Sequence, residues 1–262
     1  MQFNDKVTIV TGGASGIGAA SARNFAARGA KVAIADLNHQ DAVKVADEIG
    51  GLAVGCDIGK EAAVNDLVAQ VEAELGPVDI LFNNAGIASG RGPLTTELDV
   101  WQQQWDVNLM AHVYAVRAVL PGMLERGSGY IIHTASMAGI LTTHGNLPYA
   151  VTKHAVVGLA EWMSITYHDK GVHTSLLAPL GVRTPMLGDP DPAFTQAVGP
   201  IKEPEEVAEM VASAVEEERF LILTDDIAAT WMSYKSNDLE RWLKGMRRLQ
   251  AKMDDHREKS GS

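Results

Sequence analysis

Directly behind an apolar run, Val7-Thr8-Ile9-Val10, the chain reads Thr11-Gly12-Gly13-Ala14-Ser15-Gly16-Ile17-Gly18. No other feature restricts the fold as tightly. A continuous apolar run suits a strand buried on both faces, as in a parallel sheet. Spaced glycines let the backbone turn sharply, approach a pyrophosphate and start a helix close to that sheet. The free N–H groups and positive dipole of the helix start then suit phosphate. A bare glycine cluster is equally compatible with an ordinary turn. The strand before it and the Ala-rich stretch after it favour a dinucleotide.

Further along, short β-branched runs alternate with longer stretches whose apolar residues recur every three or four positions. Strands are expected at 6–11, 31–36, 52–56, 80–83, 129–134, 172–178 and 220–223, with helical patterns such as 17–27, 40–49 and 61–75 between them. That rhythm implies an α/β fold: one doubly wound parallel sheet of about seven strands, helices on both faces, ligands at the carboxyl ends of the strands. The whole chain, 1–262, reads as a single domain. Five prolines and two glycines interrupt 185–204, an irregular stretch of a length that often serves as a lid. Beyond the last strand, 224–253 reads as a helical extension with Trp231, Met232 and Tyr234, then Leu239, Trp242, Leu243, Met246 and Leu249 at apolar spacing.

Charge and composition exclude several classes of function. With 33 acidic and 22 basic residues the net charge is -11, which repels a phosphate backbone, so no nucleic-acid partner is expected. The only cysteine, Cys56, permits no disulfide within the chain and fits a reducing compartment. The first residues lack a signal-peptide pattern and the apolar runs are strand-length, so a cytoplasmic protein without a membrane partner is expected. No metal is expected.

Asp36 closes the second strand about twenty residues past the glycines, where a carboxylate can accept both hydrogen bonds of an adenosine ribose diol. It would repel the 2′-phosphate of NADP by about 3 kcal/mol per unit charge at roughly 5 Å. Neither Ser15 nor Leu37 supplies a rescuing cation, so the expected cofactor is NAD. An acidic strand-end turn residue is the plainer alternative.

The reactive candidates are Ser136, just past the fifth strand, and the set Tyr149-Ala150-Val151-Thr152-Lys153. Tyr and Lys four apart share one helix face. An ammonium beside a phenol favours the phenolate, lowering the tyrosine pKa from about 10. Such a base can take an alcohol proton as hydride leaves carbon, with Ser136 holding the oxygen.

Taken together, Thr11-Gly-x-x-x-Gly16-x-Gly18, Asp57, Asn83-Asn84-Ala85-Gly86, Asn108, Ser136, Tyr149 and Lys153 resemble the short-chain dehydrogenase/reductase family, in its order and spacing, over residues 6–223. The resemblance implies a Rossmann fold and NAD-dependent interconversion of a secondary alcohol and a ketone. Tyr149 would be the general acid/base, Ser136 would orient the substrate oxygen, and Lys153 would hold the nicotinamide ribose and tune Tyr149. Asn108 would anchor a proton-relaying water. Cofactor contacts are implied at Gly12, Ser15, Gly16, Ile17 and Gly18, and at Asp36 and Leu37. Asp57 and Ile58 would face adenine, Asn84, Ala85 and Gly86 the ribose side, and Val182 and Thr184 the carboxamide. Asp79 would be structural.

Two departures from the family pattern stand out. Leu180 occupies a position where many members carry glycine, making it a candidate specificity determinant. The C-terminal stretch lacks the Gly-rich segment of many tetramers, and its helices would cap the substrate lobe or pack on a partner chain. A homo-oligomer, dimer or tetramer, is implied, with a dimer through the helices around 101–124 and 149–167. Pocket residues by the same analogy include Met137, Asn146, Leu180 and Met186, mostly apolar and without a cation suited to a carboxylate; Arg91 and His144 are the candidate exceptions, each also readable as a solvated loop residue. That favours a cyclic, aromatic or steroid-like substrate. Competing readings are an NAD-using epimerase or dehydratase and a non-catalytic NAD-binding scaffold.

Overall fold

The computed structural model describes residues 1–188 and 199–260. Its strands are β1 Val7–Thr11, β2 Lys31–Asp36, β3 Leu52–Gly55, β4 Ile80–Asn83, β5 Gly129–Thr134, β6 Val172–Ala178 and β7 Leu221–Leu223. They form one seven-stranded sheet ordered β3-β2-β1-β4-β5-β6-β7, every pair parallel. This is the doubly wound sheet that the sequence implies. Differences are confined to strand ends. Lys6 donates its amide to Phe3 in a turn and so stays outside β1, whereas Cys56 still donates to Asp36 although β3 has ended. Asp79 accepts from the Val7 amide at 3.0 Å and from Lys6 Nζ at 3.3 Å, pinning the start of β1 beside β4.

Helices α1 (Gly16–Ala27), α2 (His39–Ile49) and α8 (Pro204–Glu216) cover one face of the sheet, burying Phe25, Val45, Phe82 and Val211 together. On the other face, α3 (Glu61–Glu74), α5 (Ala111–Arg126) and α7 (Leu147–Tyr167) bury Leu67, Val71, Val119, Met123 and Met163. Each such side chain contributes about 1.5–3 kcal/mol when fully buried. Local signals fix the helix ends. Asn38 caps α2, which stops at Gly50 in the left-handed region, and Glu203 with Glu206 forms a capping box on α8.

Ahead of α5, α4 (Leu98–Trp105) and a π-helical turn (Asp106–Met110) run into it without a break. The resulting rod, Leu98–Arg126, contains a window of mean hydropathy 1.3, long and apolar enough to cross a bilayer. The expectation that every apolar run is strand-length therefore fails here. The physical reason is burial: 44% of that window is inside the protein, packed on the sheet and α3.

A short helix, α6 (Ala138–Leu141), follows β5, and α9 (Asp226–Asn237) and α10 (Leu239–Ser260) follow β7. Half of the proline-rich stretch marked as a lid, residues 189–198, lies outside the described residues. The sheet order reverses between β1 and β4. Their carboxyl ends diverge there into the crevice where ligands of such sheets sit.

Candidate active site

The glycine turn fills that crevice. Gly12 has φ +64°, and a Cβ on it would lie 2.8 Å from Ala85 Cα, so no side chain fits. Gly18 packs still closer on the Gly12 carbonyl and the Asn84 amide. Asn84 ties the turn to β4: its Nδ2 donates to the Thr11 carbonyl at 3.0 Å, and its backbone N donates to Thr11 Oγ1 at 3.0 Å. Ser15 caps α1 without a side-chain hydrogen bond, which leaves the first amides of α1 aimed outward, as an anion site needs. Asp36 is fixed beside the turn, accepting from Ala14 N at 3.1 Å and Asn38 N at 2.9 Å. Its neighbour Leu37 is 78% exposed and uncharged.

A cleft of about 1960 Å³ runs from Asp36 to the C-terminal helices. It is lined by Gly12, Ser15, Gly16, Ile17, Asp36 and Leu37 at one end. Asp57, Ile58, Asn84, Ala85 and Gly86 follow, then Ser136, Met137, Tyr149 and Lys153, and finally Leu180, Val182, Thr184 and Met186. Asp57 also accepts from Gly59 N and pairs with Lys60 at 3.0 Å. Three residues expected at the site stand elsewhere. Gly18 is behind the turn, and Asn108 is buried below the cleft. Asn146 is the N-cap of α7, accepting from Tyr149 N at 3.1 Å, and borders a separate small cavity with Arg91. Its Oδ1 serves the helix end.

Tyr149 and Lys153 share one face of α7, with Lys153 Nζ 5.6 Å from the phenol ring centre. Gly139 lets α6 close onto α7: a Cβ there would meet the Lys153 carbonyl at 2.4 Å. Lys153 Nζ donates to the Thr134 carbonyl at 2.9 Å, joining α7 to the end of β5. Ser136 stands between, its Oγ accepting from Ala138 N at 3.1 Å. Burial raises the Tyr149 pKa above 10, and the neighbouring Ser136 hydroxyl only opposes this. The expected lowering by Lys153 does not win. The same burial penalises the ammonium and pulls Lys153 down to about 8.

Asn108 sits in the π-helical turn, a departure from α geometry that recurs at functional sites. Its Oδ1 accepts from Ile87 N at 2.8 Å, and its Nδ2 donates to the carbonyl of Ile87, Gln104 Oε1 and Thr152 Oγ1. Asn108 thus clamps the strand-end loop that carries Gly86, whose Cα faces Lys153 Nζ.

Sequence reading left open whether the C-terminal helices cap the cleft or pack on a partner chain, and it did not single out their cleft-facing arginines. Trp231, Arg241, Trp242, Met246, Arg248 and Leu249 of α9 and α10 all face the cleft. The expectation of a wall without suitable cations is therefore corrected by Arg241 and Arg248. The apolar spacing of 242, 246 and 249 was the available signal, but only tertiary packing says which way that face turns. Leu180 joins Met137, Leu141, Trp231 and Trp242 in the apolar cluster of this wall, and its amide donates to Thr224 Oγ1 at 3.1 Å.

Comparison with known proteins agrees with this geometry. The family model described as short chain dehydrogenase matches residues 6–193. The chain is 36% identical to a cyclohexanol dehydrogenase of Acinetobacter sp. (strain SE19), covering 80% of this chain and 88% of that one. It is 34% identical to a mitochondrial borneol dehydrogenase of Lavandula x intermedia, over 79% and 82%. Among solved structures, a short chain dehydrogenase/reductase of Burkholderia phymatum in complex with NAD superposes with a TM-score of 0.83. It shares 28% identity and covers 92% of this chain and 96% of its own.

Proposed function

The chain belongs to the short-chain dehydrogenase/reductase family, and on that premise we propose that it is an NAD(H)-dependent oxidoreductase interconverting a cyclic secondary alcohol and its ketone, with Tyr149 as general acid/base. One observation carries the reading: Tyr149 and Ser136, from different elements, line one cleft together with Lys153. Relatives named for cyclohexanol and borneol support a cyclic substrate. The apolar cluster around Leu180 and Trp242 suits such a ring.

The residues present fit NAD. The turn closes on Ala85 only because Gly12 lacks a Cβ, and Gly12, Ser15 and Gly16 line the end of the cleft where a pyrophosphate would lie. Asp36 is held by two amides where an adenosine ribose would meet it, with Ile58 on the adenine side and Val182 and Thr184 at the carboxamide end. When bound, the dinucleotide supplies the carbon that accepts or gives the hydride.

The chain's own groups handle the proton. In oxidation Tyr149 must first give up its own proton; the alcohol O–H bond then breaks, its proton passes to the phenolate oxygen, and the electron pair of the adjacent C–H bond leaves as hydride. In reduction the ketone oxygen takes the Tyr149 proton. Ser136 Oγ holds that oxygen throughout. Because burial favours the protonated phenol, the cleft by itself is set as an acid, ready for ketone. Lys153, tethered to Thr134, would grip the nicotinamide ribose, and Asn108 fixes the Gly86 loop opposite it.

A second copy of the chain would cover the outer side of α7, where Trp162 and Ile165 are 57% and 85% exposed, and α4, where Trp105 emerges. The buried thiol of Cys56, raised to about 11 by burial, fits the cytoplasm.

The experiment is Tyr149→Phe, followed through absorbance at 340 nm with cyclic secondary alcohols. Turnover should fall by about 10²–10⁴-fold while NAD still binds. Undiminished turnover would refute the assignment.

A further inference from the structure

The two arginines of the substrate wall differ from the paired arginines of this protein, and unlike Arg91 and Arg247, which are also unpaired among the described residues, they line the main cleft. Arg23, Arg28, Arg117, Arg183 and Arg219 each pair with a glutamate. Arg241 and Arg248 face the cleft, and among the described residues neither has a carboxylate within ion-pair distance.

The helix that carries them is seated firmly on the cleft. Trp242 packs with Met137, Leu141 and Ala178, and Gln250 Oε1 lies 2.6 Å from His144 Nδ1. Its apolar side is therefore turned inward against the substrate wall. The stretch 239–252 holds Arg241, Lys244, Arg247, Arg248 and Lys252 against Glu240 alone, in a chain of net charge -11. An acidic protein thus places two arginines of its densest basic stretch on the lining of the cleft that holds Tyr149 and Lys153.

A neutral ring would be bound by the apolar wall and would gain little from guanidinium groups above it. An anion at the far end of that ring would gain a charge-assisted, geometrically matched partner. The arginines lie seven residues, about two helical turns or 10 Å, apart along the helix, and both line the cleft.

We propose that the substrate is a cyclic alcohol or ketone bearing a carboxylate remote from the reacting carbon, received by Arg241 and Arg248. This rests on the dehydrogenase reading of the same cleft. A basic amphipathic helix can also lie on an anionic membrane, but here its apolar side is already occupied by Met137 and Leu141.

The test compares 4-hydroxycyclohexanecarboxylate with cyclohexanol as substrates of the full chain with NAD, for the wild type and for the double variant Arg241→Ala/Arg248→Ala. The ratio of kcat/KM, carboxylate over cyclohexanol, should fall about tenfold in the double variant, through KM, and should fall with added salt in the wild type. Cyclohexanol turnover with an unchanged ratio overturns this inference and leaves the dehydrogenase reading standing. No turnover of either alcohol overturns that reading instead. The ratio is then read from dissociation constants of 4-oxocyclohexanecarboxylate and cyclohexanone on the NADH-loaded protein, and an unchanged ratio there again overturns the inference. Sedimentation with phosphatidylglycerol vesicles completes the set: binding that the double variant abolishes, with the substrate ratio unmoved, assigns the arginines to a membrane.

Discussion

His112 of α5 and His133 of β5 meet inside the fold, Nδ1 to Nδ1 at 2.9 Å with rings nearly parallel. One ring must donate and the other accept, and burial favours the neutral form of both. His112 stands one turn beyond Asn108, and His133 precedes Thr134, whose carbonyl receives Lys153. The pair therefore supports both partners of the reactive end of the cleft.

Burial, then His133 and Lys153, hold His112 well below its usual pKa, and burial takes His133 down to about 3. In the unfolded chain both titrate near 6.5. The neutral pair thus gives its full stability above about pH 6.5. That stability is lost as pH falls toward 3, by up to about 1.4 kcal/mol per unit for each imidazole, because the unfolded chain takes up protons the folded one refuses. Denaturant melts from pH 7 to 4 should show this slope, and His112→Phe/His133→Leu should flatten it. A wild-type stability that is level across that range would discredit the neutral pair.

Lys153 loses its proton as pH rises through about 8. The charge that we propose grips the nicotinamide ribose beside Tyr149 then disappears. We expect kcat/KM for ketone reduction to be level near neutrality and to decline above about pH 8. Lys153→Arg keeps a cation at every pH, so its alkaline limb should move upward even if its rate is lower. A wild-type profile without that limb would rule out a role for the ammonium.

Asp36→Ala removes the carboxylate held by Ala14 and Asn38. The preference for NAD over NADP should drop by about a hundredfold, the factor expected from one carboxylate–phosphate repulsion. Fluorescence titration with NADH and NADPH measures it. Equal binding of both by the wild type would contradict the role given to Asp36.

Ile165→Glu places a charge on the most exposed apolar position of α7. If a second copy covers that face, the variant should sediment as a monomer where the wild type sediments as a dimer or larger. A wild type that is monomeric at micromolar concentration would remove the interface.

The nucleotide half of the cleft was readable from sequence because its chemistry is local. Glycines at fixed spacing, a strand-end carboxylate and a Tyr–Lys pair one helical turn apart announce geometry through short-range backbone rules. The sheet was readable for a related reason, since buried parallel strands such as Val7–Val10 cannot hide their apolar continuity. What escaped depends on long-range packing. Nothing in the local pattern of α10 says that Arg241 looks into the cleft and Arg247 does not. That Asn146 borders a neighbouring cavity and caps α7 with its Oδ1 is likewise fixed by packing. The acidity of Tyr149 went wrong in the same way, because adjacency to Lys153 is local while burial of both is not.

In the proposed reading the groups that handle proton and hydride lie at or before Thr184, whereas Trp231, Arg241, Trp242, Met246, Arg248 and Leu249 add to the wall begun by Met137, Leu141 and Leu180 from beyond the final strand. Changes in α9 and α10 can therefore redraw which molecule is admitted without disturbing how the proton and hydride move, so the tail is where new specificities can evolve or be engineered at least risk to the chemistry.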